Sequence, residues 1–204
     1  MSAPAHTVAG GVLSLERLVF FSDAVFVIAI TLLVVELEVP HLANLRDDAA
    51  AWQGLVHLWS SFFVFAVSFL VIGRFWMGHH DLFRHITTYH SKLMWPNLML
   101  LMAIAFLPFS TAYLRANLGA FVPALFYNVS LLVIALFDWR LASRAAVLGV
   151  LPPRYRRGEA WHSTVVVAAA SLCVALTWLS RSWSQIGMIL IPIGHRLIDR
   201  RLAL

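Results

Sequence analysis

Asp23 is the residue of this chain most in need of a partner. It stands in the run Arg17-Leu-Val-Phe-Phe21-Ser22-Asp23-Ala24-Val-Phe-Val-Ile28-Ala-Ile-Thr31-Leu-Leu-Val-Val35-Glu36-Leu-Glu38-Val-Pro40, where most neighbours are apolar. An ionised carboxylate inside an apolar span costs about 2.5–3.5 kcal/mol on insertion scales. It therefore requires hydrogen-bond donors, a counter-charge or water. The same run holds a second pattern. At 100° per residue, Ala24, Ile28, Thr31 and Val35 fall within about 60° of one another. This narrow stripe is apolar apart from one hydroxyl, and Ser22 and Asp23 point away from it. Two arrangements use such a stripe. It packs as a seam on a neighbouring helix, or symmetry-related copies meet around an axis and form stacked rings of Ile28, Thr31 and Val35. Apolar rings gate by dewetting, and a threonine ring offers oxygens to a partly dehydrated cation. Spacing alone does not choose between the two.

Other polar groups invite other chemistry. His79, His80, Asp81 and His85 lie together, and Asp81 and His85 are one helical turn apart, as two metal ligands would be. The segment falls at a membrane–water boundary, where polar residues are common. The favoured reading is therefore that no metal is bound, and protonation of these histidines could confer pH sensitivity. Glu36 and Glu38 form either a solvated interfacial pair or an acidic mouth that concentrates cations. Asn128 and Asp138 read as packing and interface residues, and the lone Cys173 as a small buried side chain. No nucleophile-and-base constellation, phosphate loop or zinc spacing occurs, so no enzymatic activity and no cofactor are expected.

Composition says what must position these groups. Of 204 residues, 61% are hydrophobic and 12% charged. A soluble domain carries about twice that charged fraction. Lipid must therefore serve as part of the solvent, and the expected fold is all-α and polytopic. Candidate spans run over 15–39, 55–77, 93–114, 121–141, 160–179 and, most weakly, 183–198. Ser14 is a plausible N-cap for the first, and residues 1–13 are expected to be disordered ahead of a single six-helix transmembrane domain over 14–204.

The formal charge of +5 suggests no nucleic-acid partner, because the basic residues sit in short loops between apolar runs. With six crossings, twelve of them share one side: Arg17, Arg74, Arg84, Lys92, Arg140, Arg144, Arg154, Arg156, Arg157, Arg196, Arg200 and Arg201. Arg46, Arg115 and Arg181 take the other. This asymmetry predicts a multi-pass cell-membrane protein with both termini cytoplasmic. All eight tryptophans fall near predicted helix ends, as in aromatic belts.

Arg17-x-x-x-Phe21-Ser22-Asp23 resembles the RxxxFSD signature on the first helix of the transmembrane-protein-175 family of potassium channels. The run Val25–Glu36 is similar to that family's pore helix. Trp76-Met-Gly-His79-His80 resembles the end of its second helix, and Asn97 with Pro108-Phe109-Ser110-Thr111 its third. The likeness covers most of the first 115 residues. It implies a homotetrameric channel for monovalent cations, preferring potassium, with the first helix lining a central pore and no T-V-G-Y-G filter. Carried over by position, Ile28 becomes the narrow constriction, Thr31 the polar layer beside it and Val35 the next ring outward. Valine replaces the family's frequent leucine at that last ring, and Ala24 its common glycine. Arg17, Phe21, Ser22 and Asp23 become a scaffold joined to His79 or His80 and to Asn97, and Glu36 and Glu38 the outer mouth. The rival reading is a proton-coupled transporter or proton pathway through Asp23 and His79 or His80.

Overall fold

The computed structural model describes residues 5–40 and 47–179, and these are helical with short connections. The helices are α1 (Ala5–Val35), α2 (Asp48–His57), α3 (Trp59–Arg84), α4 (Met94–Ala116), α5 (Phe121–Val147) and α6 (Pro153–Leu179). A single 3-10 turn, η1 (Ser91–Leu93), leads into α4. Of these, α1, α3, α4 and α5 are long and apolar enough to cross a membrane, and α6 contains a shorter apolar stretch, Ser163–Trp178. The protein is an all-α, multi-pass membrane protein. The sixth span expected over 183–198 lies outside the described residues.

The bundle follows from which faces are apolar on both sides. Helix α1 packs on α3 and α4, α4 on α5, and α5 on α6. The shared core includes Phe26, Ile72, Leu100, Ile104, Leu131 and Leu141, all fully buried. The remaining apolar faces are left outward, as lipid-facing or partner-facing surfaces must be.

Helix α3 runs on to Arg84 rather than 77, α5 to Val147 rather than 141, and α6 starts at Pro153 rather than 160, because amphipathic turns continue past the apolar runs. Three further differences have a local physical cause. Helix α1 begins at Ala5, so part of the segment expected to be disordered is helical and Ser14 lies inside the helix rather than capping it. No proline interrupts 5–35, and leucine and alanine carry the helix backward across the two glycines. At its other end α1 stops at Val35, not Val39. A single turn follows, with Leu37 N–H on Val34 C=O at 3.1 Å. Two carboxylates, Glu36 and Glu38, oppose the negative end of the helix dipole, and Pro40 disfavours helix in the residue before it.

The third difference is α2. The second span starts at Trp59, and ahead of it the chain forms a separate short helix. Asp47 caps it by accepting from the Ala50 N–H at 2.9 Å, and Asp48 adds negative charge to its first turn. Alanine-rich sequence then suffices for helix, although it is too short and too polar to span.

On the side of the α3–α4 and α5–α6 turns, the two connections are joined. Both the backbone N–H and the hydroxyl of Thr87 donate to Val150 C=O, each at 3.0 Å. Gly149, with φ of 70°, turns the chain out of α5 so that this carbonyl faces Thr87.

The open face of α1 and the network behind it

Helix α1 has two unlike sides. Leu18, Ser22, Phe26, Ala29 and Leu33 are buried and face α3 and α4. The Ala24–Ile28–Thr31–Val35 stripe lies on the other side, roughly 150° around the helix at 100° per residue. All four of its residues are exposed in the subunit, with Ile28 at 57% and Val35 at 73%. Among the described residues, the stripe is therefore not a seam on a helix of its own subunit. The Thr31 hydroxyl donates to the Ile28 carbonyl at 3.0 Å. Its hydrogen is thus spent on the backbone, and its oxygen lone pairs remain as acceptors on the open face.

Behind that face, three helices meet at a chain of side chains. The Ser22 hydroxyl donates to Leu18 C=O at 2.8 Å, which makes its oxygen the acceptor for Asn97 Nδ2 at 2.9 Å. Asn97 then presents Oδ1 to His79 Nε2 at 2.8 Å. An amide oxygen only accepts, so His79 carries its proton on Nε2. Its Nδ1 has no partner. The imidazole is packed between Phe83, stacked at 4.4 Å between centroids, and Phe26, tilted at 5.4 Å. Ser22, His79 and Asn97 are all fully buried. Among apolar helices in lipid, few alternatives exist for such groups, so the chain fixes the register of α1 against α3 and α4.

Asp23 belongs to a separate contact. Trp76 Nε1 donates to its Oδ1 at 2.9 Å, and the Trp76 ring lies 5.6 Å from that of His80. Thus the expected scaffold divides in two. Ser22, His79 and Asn97 form one part, and Asp23 with Trp76 the other. His80 is exposed and borders Trp76 without joining Asp23, and Arg17 and Phe21 are exposed, outside the Ser22–Asn97–His79 chain. Trp76 had the attributes of an interfacial tryptophan. The signal that marked it as a partner was its spacing, one turn ahead of His79 and His80 on the same helix.

Beyond the helix end, Glu38 is 82% exposed and lies 3.8 Å from the Arg115 guanidinium at the end of α4. Glu36 is exposed. At the opposite end, Asp81 pairs with Arg84 at 3.3 Å, and His85 Nδ1 lies 2.7 Å from the Asp81 carbonyl oxygen. His85 also packs its ring on Tyr155 at 3.6 Å. No group of three potential metal ligands converges among the described residues.

A second polar junction escaped the sequence reading. Ser68, Thr111 and Tyr127, from α3, α4 and α5, are buried together. Ser68 Oγ lies 3.0 Å from the Tyr127 hydroxyl and 3.1 Å from that of Thr111. Farther along, Asn128 Nδ2 donates to Thr177 Oγ1 at 2.8 Å and ties α5 to α6.

The whole architecture has solved counterparts. A lysosomal potassium-selective channel TMEM175 homologue from Chamaesiphon minutus is 30% identical, with a TM-score of 0.79 over 90% of this chain and 97% of that one. The family model described as endosomal/lysosomal potassium channel TMEM175 matches residues 17–108. The chain belongs to the TMEM175 family. That family is one of ion channels and not of enzymes. A Streptomyces collinus protein named as a potassium channel is 38% identical over 124 residues, 59% of each chain. A Bos taurus TMEM175, named as an endosomal/lysosomal proton channel, is 34% identical over 79 residues, 36% of this chain and 16% of its own. The chain thus spans about three-fifths of the first of these curated relatives and a smaller part of the second. The TMEM175 match ends at Pro108, so it takes in the open face of α1 and all of Ser22, Asp23, Trp76, His79 and Asn97.

Proposed function

We propose that four copies of this chain assemble in the cell membrane, with both termini cytoplasmic, as a channel for monovalent cations that prefers potassium. The observation that carries this reading is the open stripe of α1. One subunit supplies a single apolar face with one ring-forming hydroxyl, and only an oligomer turns one stripe into a closed conduit. Ile28 then forms the narrow apolar ring, Thr31 the oxygen layer next to it and Val35 the next apolar ring outward. An apolar constriction favours the ion that sheds water at lower cost, which is potassium over sodium, and the Thr31 lone pairs replace part of the lost hydration. Glu36 and Glu38 raise cation concentration at the outer end. Arg17, Phe21, Ser22 and Asp23, with His79, His80 and Asn97, act as support for the pore helix and do not touch the ion.

The test is electrical. In planar bilayers, reversal potentials under potassium–sodium gradients are expected to shift toward sodium for Ile28→Asn and to change for Thr31→Ala. Unchanged permeability ratios in both variants would defeat the assignment.

The vertebrate relative's name favours a second reading, proton conduction through the same protein. It predicts a reversal potential that follows the pH gradient, with currents dependent on Asp23 and His79 or His80. Potassium-dependent reversal at symmetric pH rules it out.

A further inference from the structure

Helix α5 carries a second outward stripe that conduction does not use. Val129, Val133, Leu136, Arg140 and Arg144 fall within about 80° of one another at 100° per residue. The three apolar members are 41%, 38% and 44% exposed, and both arginines are exposed. Along one line the helix surface thus changes from aliphatic to cationic. The apolar part, from Val129 to the first guanidinium, measures about 16 Å at 1.5 Å per residue. That is about half of a hydrocarbon core roughly 30 Å thick, the depth of one leaflet. Trp139 flanks the transition, 44% exposed, where an indole sits at headgroup level.

Neither guanidinium has an ionic partner among the described residues. The nearest carboxylate in sequence, Asp138, lies on the opposite side of α5, 3.5 Å from Ser163 on α6. At the same end of the bundle, η1 packs on α5 and leaves Lys92 exposed.

We propose that this face of α5 is a binding site for an anionic phospholipid, with the phosphate held between Arg140 and Arg144 and an acyl chain along Leu136, Val133 and Val129. Guanidinium groups at i and i+4 bracket a phosphate, and the apolar line below them matches the chain attached to it. Charge complementarity selects the lipid over a second protein copy, because two cations without an ionic partner among the described residues call for an anion, and a phospholipid carries its phosphate on the chain that the apolar line accommodates. The proposal is independent of what the protein conducts.

The experiment is native mass spectrometry of the purified protein from mixed phosphatidylglycerol and phosphatidylcholine. The wild type is expected to retain phosphatidylglycerol preferentially, and 1 M salt is expected to weaken that preference. The R140Q/R144Q variant should lose retention on the order of fivefold per guanidinium removed. Arg84→Gln, whose side chain pairs with Asp81, should leave retention unchanged. If R140Q/R144Q does not fold, L136N serves in its place, since it interrupts the acyl line and keeps both charges; it too should lower retention. Equal retention of both lipids by the wild type overturns the proposal. So does unchanged phosphatidylglycerol retention in whichever of the two variants is measured.

Discussion

The His79 ring donates from Nε2 to Asn97 Oδ1 across 2.8 Å, while its Nδ1 meets no partner. One bond therefore holds a fully buried imidazole, and Asn97 must supply it while also donating to Ser22. Asn97→Ala removes both bonds and strands His79 in an apolar interior, while Ser22 keeps its bond to the Leu18 carbonyl. The expected loss is about 1–3 kcal/mol, the cost of one buried polar group left unsatisfied. Thermal unfolding in detergent should show it as a clear fall in Tm. Ile28→Ala, on the exposed face, should shift Tm far less.

Trp76 and Asp23 form a charge-assisted bond, and such bonds contribute about 1.5–3 kcal/mol. Trp76→Phe keeps most of the ring and removes the donor. Combined with Asp23→Ala, which removes the acceptor, it makes a double-mutant cycle whose coupling energy is expected near 1–2 kcal/mol. A coupling of zero would mean that Asp23 is satisfied elsewhere.

Glu38 is almost fully exposed and sits 3.8 Å from Arg115, so its contribution to stability is expected to be below about 1 kcal/mol. Its effect on current should be larger. Glu38→Gln is expected to lower single-channel conductance in dilute potassium and to leave it unchanged near 1 M, where the Debye length falls to about 3 Å.

Gly149 holds φ of 70°, a region costly for other residues by about 1–2 kcal/mol. Gly149→Val should destabilise the protein by at least that amount, since it also displaces the Val150 carbonyl. Thr87→Val removes only the hydroxyl bond and should cost about 1 kcal/mol. Chemical denaturation of the purified protein distinguishes the two.

Much of the fold was legible because lipid permits so few solutions. Long apolar runs must be helices, and their ends were marked by proline, tryptophan and arginine. The stripe on α1 was legible for the same reason, as four residues at helical spacing. The partners were less so. Ser22, His79 and Asn97 are far apart in sequence, and composition names polar residues in apolar runs without pairing them; only the family resemblance joins them. Trp76 reads as interfacial because an indole suits a boundary, which hides its bond to Asp23. The Ser68–Thr111–Tyr127 junction stayed hidden since single hydroxyls hardly lower the hydropathy of a span. Helix α2 is not legible as a span because its capping aspartates and alanines lower the hydropathy ahead of residue 55.

The polar tie at Ser22 lies near the middle of α1, and the open stripe runs from there to its C-terminal end. From Ser22 to Val35 the helix extends about 20 Å at 1.5 Å per residue. Over that length, no side-chain hydrogen bond beyond Asp23 joins α1 to its neighbours among the described residues, and Thr31 bonds only to its own helix. The helix is in effect a lever with its pivot at the serine. A tilt of about 5° there displaces the free tip by nearly 2 Å, with only greasy contacts to resist it. Small rearrangements around His79 are thereby magnified at Ile28 to Val35, the residues that would set the width of the opening in the proposed assembly.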